Sequence, residues 1–154
     1  MSTIINIIYI AILLCVDWQD YKTRTIHNKF HIIIFFLAIV QMLFIPDYRI
    51  TDRLIGMLAV SVPMLLLTLL IPGGFGGGDI KLMAASGFFL GTSSILCAIT
   101  LAIIAGSVYG IVMLKNKKRN RKDQFAFGPF LAIGLSIAAF WGNEIVSWYL
   151  KIQH

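Results

Sequence analysis

Residues 73–85 read GGFGGGDIKLMAA, and this glycine-rich stretch with its single carboxylate decides how the rest of the chain is interpreted. Five of the six residues from Gly73 to Gly78 are glycine, and Asp79 then opens an apolar run. Glycine is a poor helix former, and a carboxylate at the edge of a hydrophobic segment is costly. The stretch therefore indicates a break between two helices at which a carboxylate is kept for a function.

The composition of the whole chain is that of a membrane protein. Its 154 residues are 58% hydrophobic and only 13% charged, whereas a soluble domain carries roughly 25% charged residues. The apolar runs predict six membrane-spanning helices over Ile4–Trp18, Phe30–Ile45, Leu54–Ile71, Ile80–Gly91, Ile95–Leu114 and Phe125–Leu150, of which the first, second and fourth are short. We therefore predict an all-α polytopic membrane protein, with residues 1–154 forming one transmembrane domain.

The distribution of basic residues predicts the orientation of these helices. With six spans, the connecting loops place ten cations on one side and three, Arg49, Arg53 and Lys151, on the other. The positive-inside rule makes the ten-cation side cytoplasmic and puts both termini outside. We expect a protein of the plasma or inner membrane whose basic cluster at Lys115–Lys122 lies beside anionic lipid. No basic face with interleaved aromatic residues occurs, so we expect no nucleic-acid partner.

Three of the seven acidic residues, Asp17, Asp20 and Asp79, fall at the predicted cytoplasmic ends of spans. Asp17 and Asp20 are three residues apart and share one helical face if the first helix continues that far. Two carboxylates from separate helices can share one proton, so that one activates a water and the other serves as an acid, as in aspartic proteases. Purely structural ion pairs, with neighbours such as Lys22 and Lys81, are the alternative.

Other sites have weaker support in the sequence. There is no GxSxG nucleophile motif, and the residues after the last glycine are not the Lys and Ser/Thr of a phosphate-binding loop. His27 and His31 are four residues apart and offer, with Asp20, a metal site as a further alternative. We expect no metal and no cofactor. The spacings Gly87-x-x-x-Gly91 and Gly106-x-x-x-Gly110 predict close helix packing, and charges in the outer loop are expected to be solvated.

Three blocks of the sequence occur in an order that is typical of a known family. They read DYKTRTIHNKF (Asp20–Phe30), GFGGGDIKLMAASGFFLG (Gly74–Gly91) and FAFGPFLAIG (Phe125–Gly134). The first is similar to an Asp followed after five residues by Ile-Pro-Asn, with His27 in place of the proline. The second contains GxGD and a lysine two residues later, and the third resembles a Phe-Gly-Pro-Phe-Leu segment. Together they resemble the type IV prepilin leader peptidases, membrane aspartic proteases of the GxGD class.

The resemblance implies an activity and a set of residues. It implies removal, at the cytoplasmic face, of the short basic leader of a prepilin-like substrate, after a Gly and before its hydrophobic helix. The catalytic pair carried onto this chain is Asp20 and Asp79, and Asp17, which has no counterpart in the first block, is the alternative to Asp20. The substrate-binding residues that we expect are Asp17, Gly76, Gly77, Gly78 and Lys81. The family's larger enzymes carry a cysteine-bearing amino-terminal domain that these residues lack, so we do not expect methylation of the new amino terminus.

Two physical expectations complete the hypothesis. The residues Gly74–Gly78 are expected to form a strand with no side chains in the way, along which an unwound substrate backbone approaches. Asp79 begins a helix, where negative charge is favoured, and Asp20 ends one, where it is disfavoured. The helix dipoles therefore predict that Asp79 is the more acidic carboxyl and that Asp20 carries the shared proton.

Two other classes of function are compatible with the same residues. A small membrane transporter or ion-conducting subunit would use buried carboxylates and a glycine-broken helix as a cation site near the bilayer centre. A non-enzymatic assembly subunit of a pilus or secretion system would use the glycines for packing only. Carboxylates near one membrane face, together with cleavage of a leader peptide, would distinguish the peptidase from both.

Overall fold

The computed structural model is a bundle of α-helices, and it describes residues 2–23, 25–45, 49–71, 75–115 and 127–152. The helices are α1 (Ser2–Thr23), α2 (Asn28–Phe44), α3 (Ile50–Leu70), α4 (Gly77–Leu90), α5 (Thr92–Lys115) and α6 (Gly128–Ile152). No strand occurs within the described ranges. The predicted fold class and the order of six helices are confirmed. Arg24, Gly74, Phe125 and most of the basic cluster lie outside the described residues.

Helix length separates the bundle into spanning helices and shorter ones. Four segments are long and apolar enough to cross a bilayer, namely Thr3–Asp20, Ile50–Leu70, Thr92–Val112 and Gly128–Ile152. The second helix has 17 residues and α4 has 14, so that α4 is ~21 Å long at ~1.5 Å per residue. The first helix was expected to be short but continues to Thr23, because neither Pro nor Gly interrupts it. The chain is an integral membrane protein, and the orientation of its termini stays a prediction.

The short helix α4 lies at the centre of the bundle. It contacts α2, α3, α5 and α6. Its side chains Leu82, Met83 and Phe89 are no more than 1% exposed, and Tyr9 of α1 stacks on Phe89 with ring centroids 4.3 Å apart. Because the long apolar helices surround α4, a polar group on it is removed from lipid and held by protein.

Glycine allows α3 and α4 to approach closely at one point. A Cβ built on Gly56 would lie only 2.7 Å from the carbonyl oxygen of Gly87, and a Cβ on Gly87 would meet the backbone of Gly56 in return. The packing prediction is therefore confirmed for Gly87. It is wrong for Gly110, which has open space where a side chain would stand. Gly91 instead ends α4, with a φ of 84° that favours glycine.

The carboxyl end of α4 is anchored by Arg53 of α3, which is 2% exposed. Its Nη1 donates to the carbonyl oxygens of Phe88, at 2.9 Å, and Phe89, and its Nη2 donates to Oε1 of Gln41 at 2.9 Å. The guanidinium thus satisfies carbonyls at the negative end of the helix dipole. The interpretation of Arg53 as a solvated loop charge is wrong, because α3 begins at Ile50 and turns this side chain inward.

Candidate active site

The carboxyl groups of Asp20 and Asp79 meet at the first residue of α6. Asp20 lies in the last turn of α1, and Asp79 lies in the first turn of α4. A Cβ built on Gly128 would lie 2.6 Å from Oδ2 of Asp20 and 3.9 Å from Oδ1 of Asp79. The structure therefore brings together two carboxyl groups from distant parts of the chain. Each helix supplies one of them from its end.

Asp79 is a buried carboxyl group that lies outside the four long apolar segments. It is 9% exposed. Burial, and then the negative charge of Asp20, raise the pKa of Asp79 to about 6, although a hydrogen bond from the backbone of Gly76 opposes the shift. Burial therefore opposes the helix dipole, which favours ionised Asp79, whereas the predicted order of the Asp79 and Asp20 pKa values stays a prediction. The loss of hydration outweighs the favourable position at a helix start, because desolvation acts on the whole charge.

The glycines before Asp79 begin α4. Gly76 is its N-cap, with φ −70° and ψ 140°, and Gly77 and Gly78 belong to its first turn. The expected glycine strand is therefore wrong at Gly77 and Gly78, and Gly74 falls outside the described residues. Helical geometry extends this far because the N-cap carbonyl of Gly76 accepts from Ile80 at 3.2 Å. Of the three glycines, only Gly77 could carry a Cβ that meets no atom within 4 Å, so its surface is open.

Residues at the start of α2 hold the first turn of α4. Nε2 of His31 lies 3.0 Å from the carbonyl oxygen of Gly78, and the ring is buried. A Cβ on Gly78 would lie 3.0 Å from Cβ of Ile26. Lys81, which is exposed, donates from Nζ to Oδ1 of Asn28 at 3.1 Å. These contacts join the first two sequence blocks and hold the first turn of α4, which carries Asp79, against residues 26–31.

The histidine that replaces a proline in the first block keeps the backbone that proline would impose. His27 is the N-cap of α2, with φ −70° and ψ 137°. Its Nδ1 contacts Nε2 of Gln19, and Nε2 of His31 is directed at a backbone carbonyl. Among the described residues, no three His, Cys, Asp or Glu side chains are grouped so that they could hold a metal ion. The alternative of a metal site therefore has no geometric support.

Asp17 lies one turn before Asp20 on α1, which confirms that the helix continues through both residues. Its side chain is half-buried, and Oδ1 is enclosed without a hydrogen-bond partner within the described part of the chain. A buried acceptor without a donor costs free energy, so such a group needs an explanation. Asp17 therefore adds a third carboxyl group to the end of the bundle at which Asp20 and Asp79 lie.

Two residues at the site were not identified from the sequence. Gly128 stood inside the third block, but nothing in the spacing of that block connected it with Asp20. His31 was considered only as a metal ligand, because a pattern of two histidines does not reveal that one of them faces the backbone of Gly78. A contact between residues 47 positions apart has no periodic signature in the sequence.

Comparison with known proteins gives a consistent result. Residues 7–111 match the model of the type IV leader peptidase family. A prepilin leader peptidase/N-methyltransferase of Bacillus subtilis (strain 168) is 30% identical over 153 residues, which are 95% of this chain and 59% of that protein. Proteins of the same name from Xanthomonas campestris pv. campestris and Legionella pneumophila are 42% and 40% identical, over 51% and 49% of this chain.

The matched segments are parts of longer relatives. The match covers 59% of the Bacillus protein. About half of this chain matches 27% of the Xanthomonas protein and 26% of the Legionella protein. No solved structure shows a significant similarity to the chain.

Proposed function

The chain belongs to the type IV leader peptidase family, and we propose that it is a membrane aspartic endopeptidase that removes the basic leader of prepilin-like proteins. The observation that carries this proposal is the approach of Asp20 and Asp79 to one point beside Gly128. The names of its relatives support the substrate class. Both carboxyl groups lie at helix ends, which favours a site near one membrane face over a cation site at the bilayer centre.

In the proposed reaction Asp20 acts as the base and Asp79 as the acid, because burial raises the pKa of Asp79 and so favours its protonated form. Asp20 takes a proton from a water molecule, whose oxygen bonds to the carbonyl carbon of the scissile peptide. Asp79 donates its proton to the carbonyl oxygen, which gives a tetrahedral intermediate. Asp20 then protonates the leaving nitrogen as the C–N bond breaks, and a hydroxyl of the intermediate returns a proton to Asp79. Both carboxyl groups are thereby restored.

Recognition of the leader is proposed to depend on the negative charge of two carboxylates and on the accessible backbone at the start of α4. The carboxylates Asp17 and Asp20 attract a basic leader, and Oδ1 of Asp17, which has no partner among the described residues, accepts a hydrogen bond from it. The open surface at Gly77 lets the substrate backbone approach the start of α4, between Gly76 and Gly78. Lys81 follows on the same helix, and its hydrogen bond to Asn28 holds the start of α4 in the position that the substrate approaches. The active site is proposed to face the cytoplasm, as the distribution of cations predicts.

A cleavage assay tests the proposal. The protein is co-expressed with a prepilin-like substrate that has a short basic leader, a Gly and a hydrophobic helix, and leader removal is followed by the mobility of the substrate. Asp20→Asn and Asp79→Asn should each lower the rate by about 100- to 10,000-fold, since a positioned acid or base contributes that much. Asp52→Asn, which changes a carboxylate at the opposite end of α4, is the matched control and should keep activity.

The outcomes separate the candidate functions. Leader removal that persists in both Asp20→Asn and Asp79→Asn would exclude the aspartic mechanism. No leader removal by the unaltered protein, against several prepilin-like substrates, would favour an assembly or transport role instead. Methylation, which the relatives' names also include, is not part of the proposal.

A further inference from the structure

We propose that Gly128 is a positioning residue, whose missing side chain leaves the space in which the carboxyl group of Asp20 turns towards Asp79. The inference rests on the proposed function, since it concerns the same pair. Its basis is the point beside Gly128 that lies 2.6 Å from Oδ2 of Asp20 and 3.9 Å from Oδ1 of Asp79. A methyl group at that point would overlap Asp20, because contacts under 3.0 Å essentially do not occur for real Cβ atoms.

Space, not backbone conformation, explains the glycine at this position. Among the described glycines only Gly91 has a positive φ, so no left-handed backbone conformation requires glycine at 128. Gly128 is the first residue of α6, where alanine would favour the helix more than glycine does. The nearby carboxyl group of Asp20 gives a reason for a glycine that is unfavourable for the helix and that no positive φ requires.

The kind of atom that would be displaced predicts a functional effect, not a loss of fold. At Gly134 on the same helix, a Cβ would meet the backbone carbonyl of Ala98, and at Gly56 it would meet the backbone of Gly87. Backbone atoms of packed helices cannot move away cheaply. At Gly128 the obstacle is the end of the Asp20 side chain, which can rotate about its own bonds. Alanine at 128 should therefore leave the fold intact and turn Asp20 away from Asp79.

Contacts next to Gly76 and Gly128 hold the start of α4 against the start of α6. Phe75, which precedes Gly76, packs edge-on against Phe127, which precedes Gly128, with ring centroids 5.5 Å apart. The carbonyl oxygen of Phe127 accepts from Leu131 at 3.2 Å and so closes the first turn of α6. The positive end of α6 thus stands next to Asp20 and favours negative charge there. This agrees with Asp20 as the base of the pair.

The proline after Gly128 offers a competing explanation that an experiment must remove. A residue before proline is disfavoured in helical conformation when it carries a Cβ. The double variant Gly128→Ala/Pro129→Ala relieves that clash but keeps the overlap with Asp20. If the inference is right, this double variant is as impaired as Gly128→Ala alone. Recovery of activity in the double variant would overturn it.

The principal test compares alanine variants of three glycines in the full-length protein. Gly128→Ala should lower kcat/KM for leader removal by about 100-fold, the cost of a displacement of about 1 Å at a reacting group. Gly110→Ala, where no atom lies within 4 Å of the new Cβ, should be unchanged. Gly134→Ala should lower the thermal midpoint in detergent. Gly128→Ala with normal activity and a normal pH profile would overturn the inference.

A second readout does not depend on cleavage. Infrared titration of isotope-labelled carboxyl groups should show a lower pKa for Asp79 in Gly128→Ala, because Asp20 has moved away and no longer opposes its ionisation. An unchanged value would overturn the inference even if no substrate is cleaved. Conversely, a lowered value in a protein that cleaves nothing would support the geometry and reject the proposed function. The two failures are thus distinguishable.

A double-mutant cycle covers the case of a poorly folded variant. In an Asp20→Ala background that also carries Pro129→Ala, the added methyl group at 128 has neither a carboxyl group to displace nor a proline after it, so Gly128→Ala should have no effect on the thermal midpoint. Equal destabilisation in the Pro129→Ala background with and without Asp20→Ala would show that Gly128 serves the backbone of α6. That result would reject the positioning role.

Discussion

The two ends of α4 differ in how they are held. At the carboxyl end, the buried guanidinium of Arg53 donates to carbonyls of the last turn and to Gln41, and Asp52 accepts from the backbone N–H of Thr92 at 3.3 Å. At the amino end, the buried carboxyl group of Asp79 accepts a backbone hydrogen bond from Gly76 and lies close to the like charge of Asp20. The polar groups named at the carboxyl end have hydrogen-bond partners. At the amino end, burial and the charge of Asp20 make ionisation of Asp79 costly.

The difference shows how a short helix can carry a strained carboxyl group inside a membrane protein. Strong hydrogen bonds at the carboxyl end and close packing at Gly56 and Gly87 fix α4 in the bundle. The amino end can then hold Asp79 next to Asp20, although both would be more stable apart. If this interpretation is right, changes at the two ends affect different measurements.

The largest loss of stability is expected from Arg53→Met. It leaves the carbonyl of Phe88 and the amide of Gln41 without their donor, so the free energy of unfolding should fall by about 3 kcal/mol. The thermal midpoint in detergent measures this loss. Arg49→Met, which changes an exposed arginine one turn earlier, is the control and should be neutral. Equal midpoints for both variants would show that the carboxyl end does not anchor α4.

The pH dependence of cleavage is expected to follow from the amino end. Protonated Asp79 is the proposed acid, and its pKa is about 6. The active form is therefore lost as the pH rises through that value, and kcat/KM should fall about tenfold per pH unit above it. Initial rates of leader removal from about pH 5 to about pH 8 measure this limb. A rate that rises over the same interval would assign the acid role to another group.

Asp79→Asn should stabilise the folded protein at high pH. The pKa of Asp79 is raised from 3.8 to about 6 on folding, so the protonated form favours the fold, and this contribution is lost as the pH rises through about 6. Asparagine removes the cost of ionisation, about 3 kcal/mol at most for a pKa that is raised from 3.8 to about 6. The thermal midpoint should therefore exceed that of the native protein at about pH 8 and match it near about pH 4. A lower midpoint at both pH values would contradict the prediction that ionised Asp79 destabilises the fold.

A smaller effect is expected from the hydrogen bond between α2 and α4. His31→Phe removes the donor to the carbonyl of Gly78, so kcat/KM should fall severalfold, equivalent to about 1 kcal/mol. His31→Gln retains a donor and should recover most of the activity. If phenylalanine and glutamine behave alike, the bond does not position Asp79.

Much of the fold was predictable from the sequence, because hydrophobicity in a bilayer is a strong and local signal. The six apolar runs became six helices in the same order, and the boundaries shifted by a few residues where polar residues such as Asp20 and Asp52 continue a helix. The proposed catalytic pair was predicted from the few acidic residues and from the family blocks. The geometry that relates Asp20, Asp79 and Gly128 was not, because it joins α1, α4 and α6 through contacts that leave no periodic pattern.

The membrane class, the helix order and the small set of carboxylates from which a site can be built all follow from hydrophobicity and residue type along the chain. Tertiary structure alone decided how these groups behave. It buried Asp79 and so raised its pKa against the expectation from the helix dipole. It turned Arg53 inward and placed Gly128 against Asp20. The physical reason is that composition and periodicity report local preference, whereas desolvation, charge proximity and free space depend on which distant residues become neighbours.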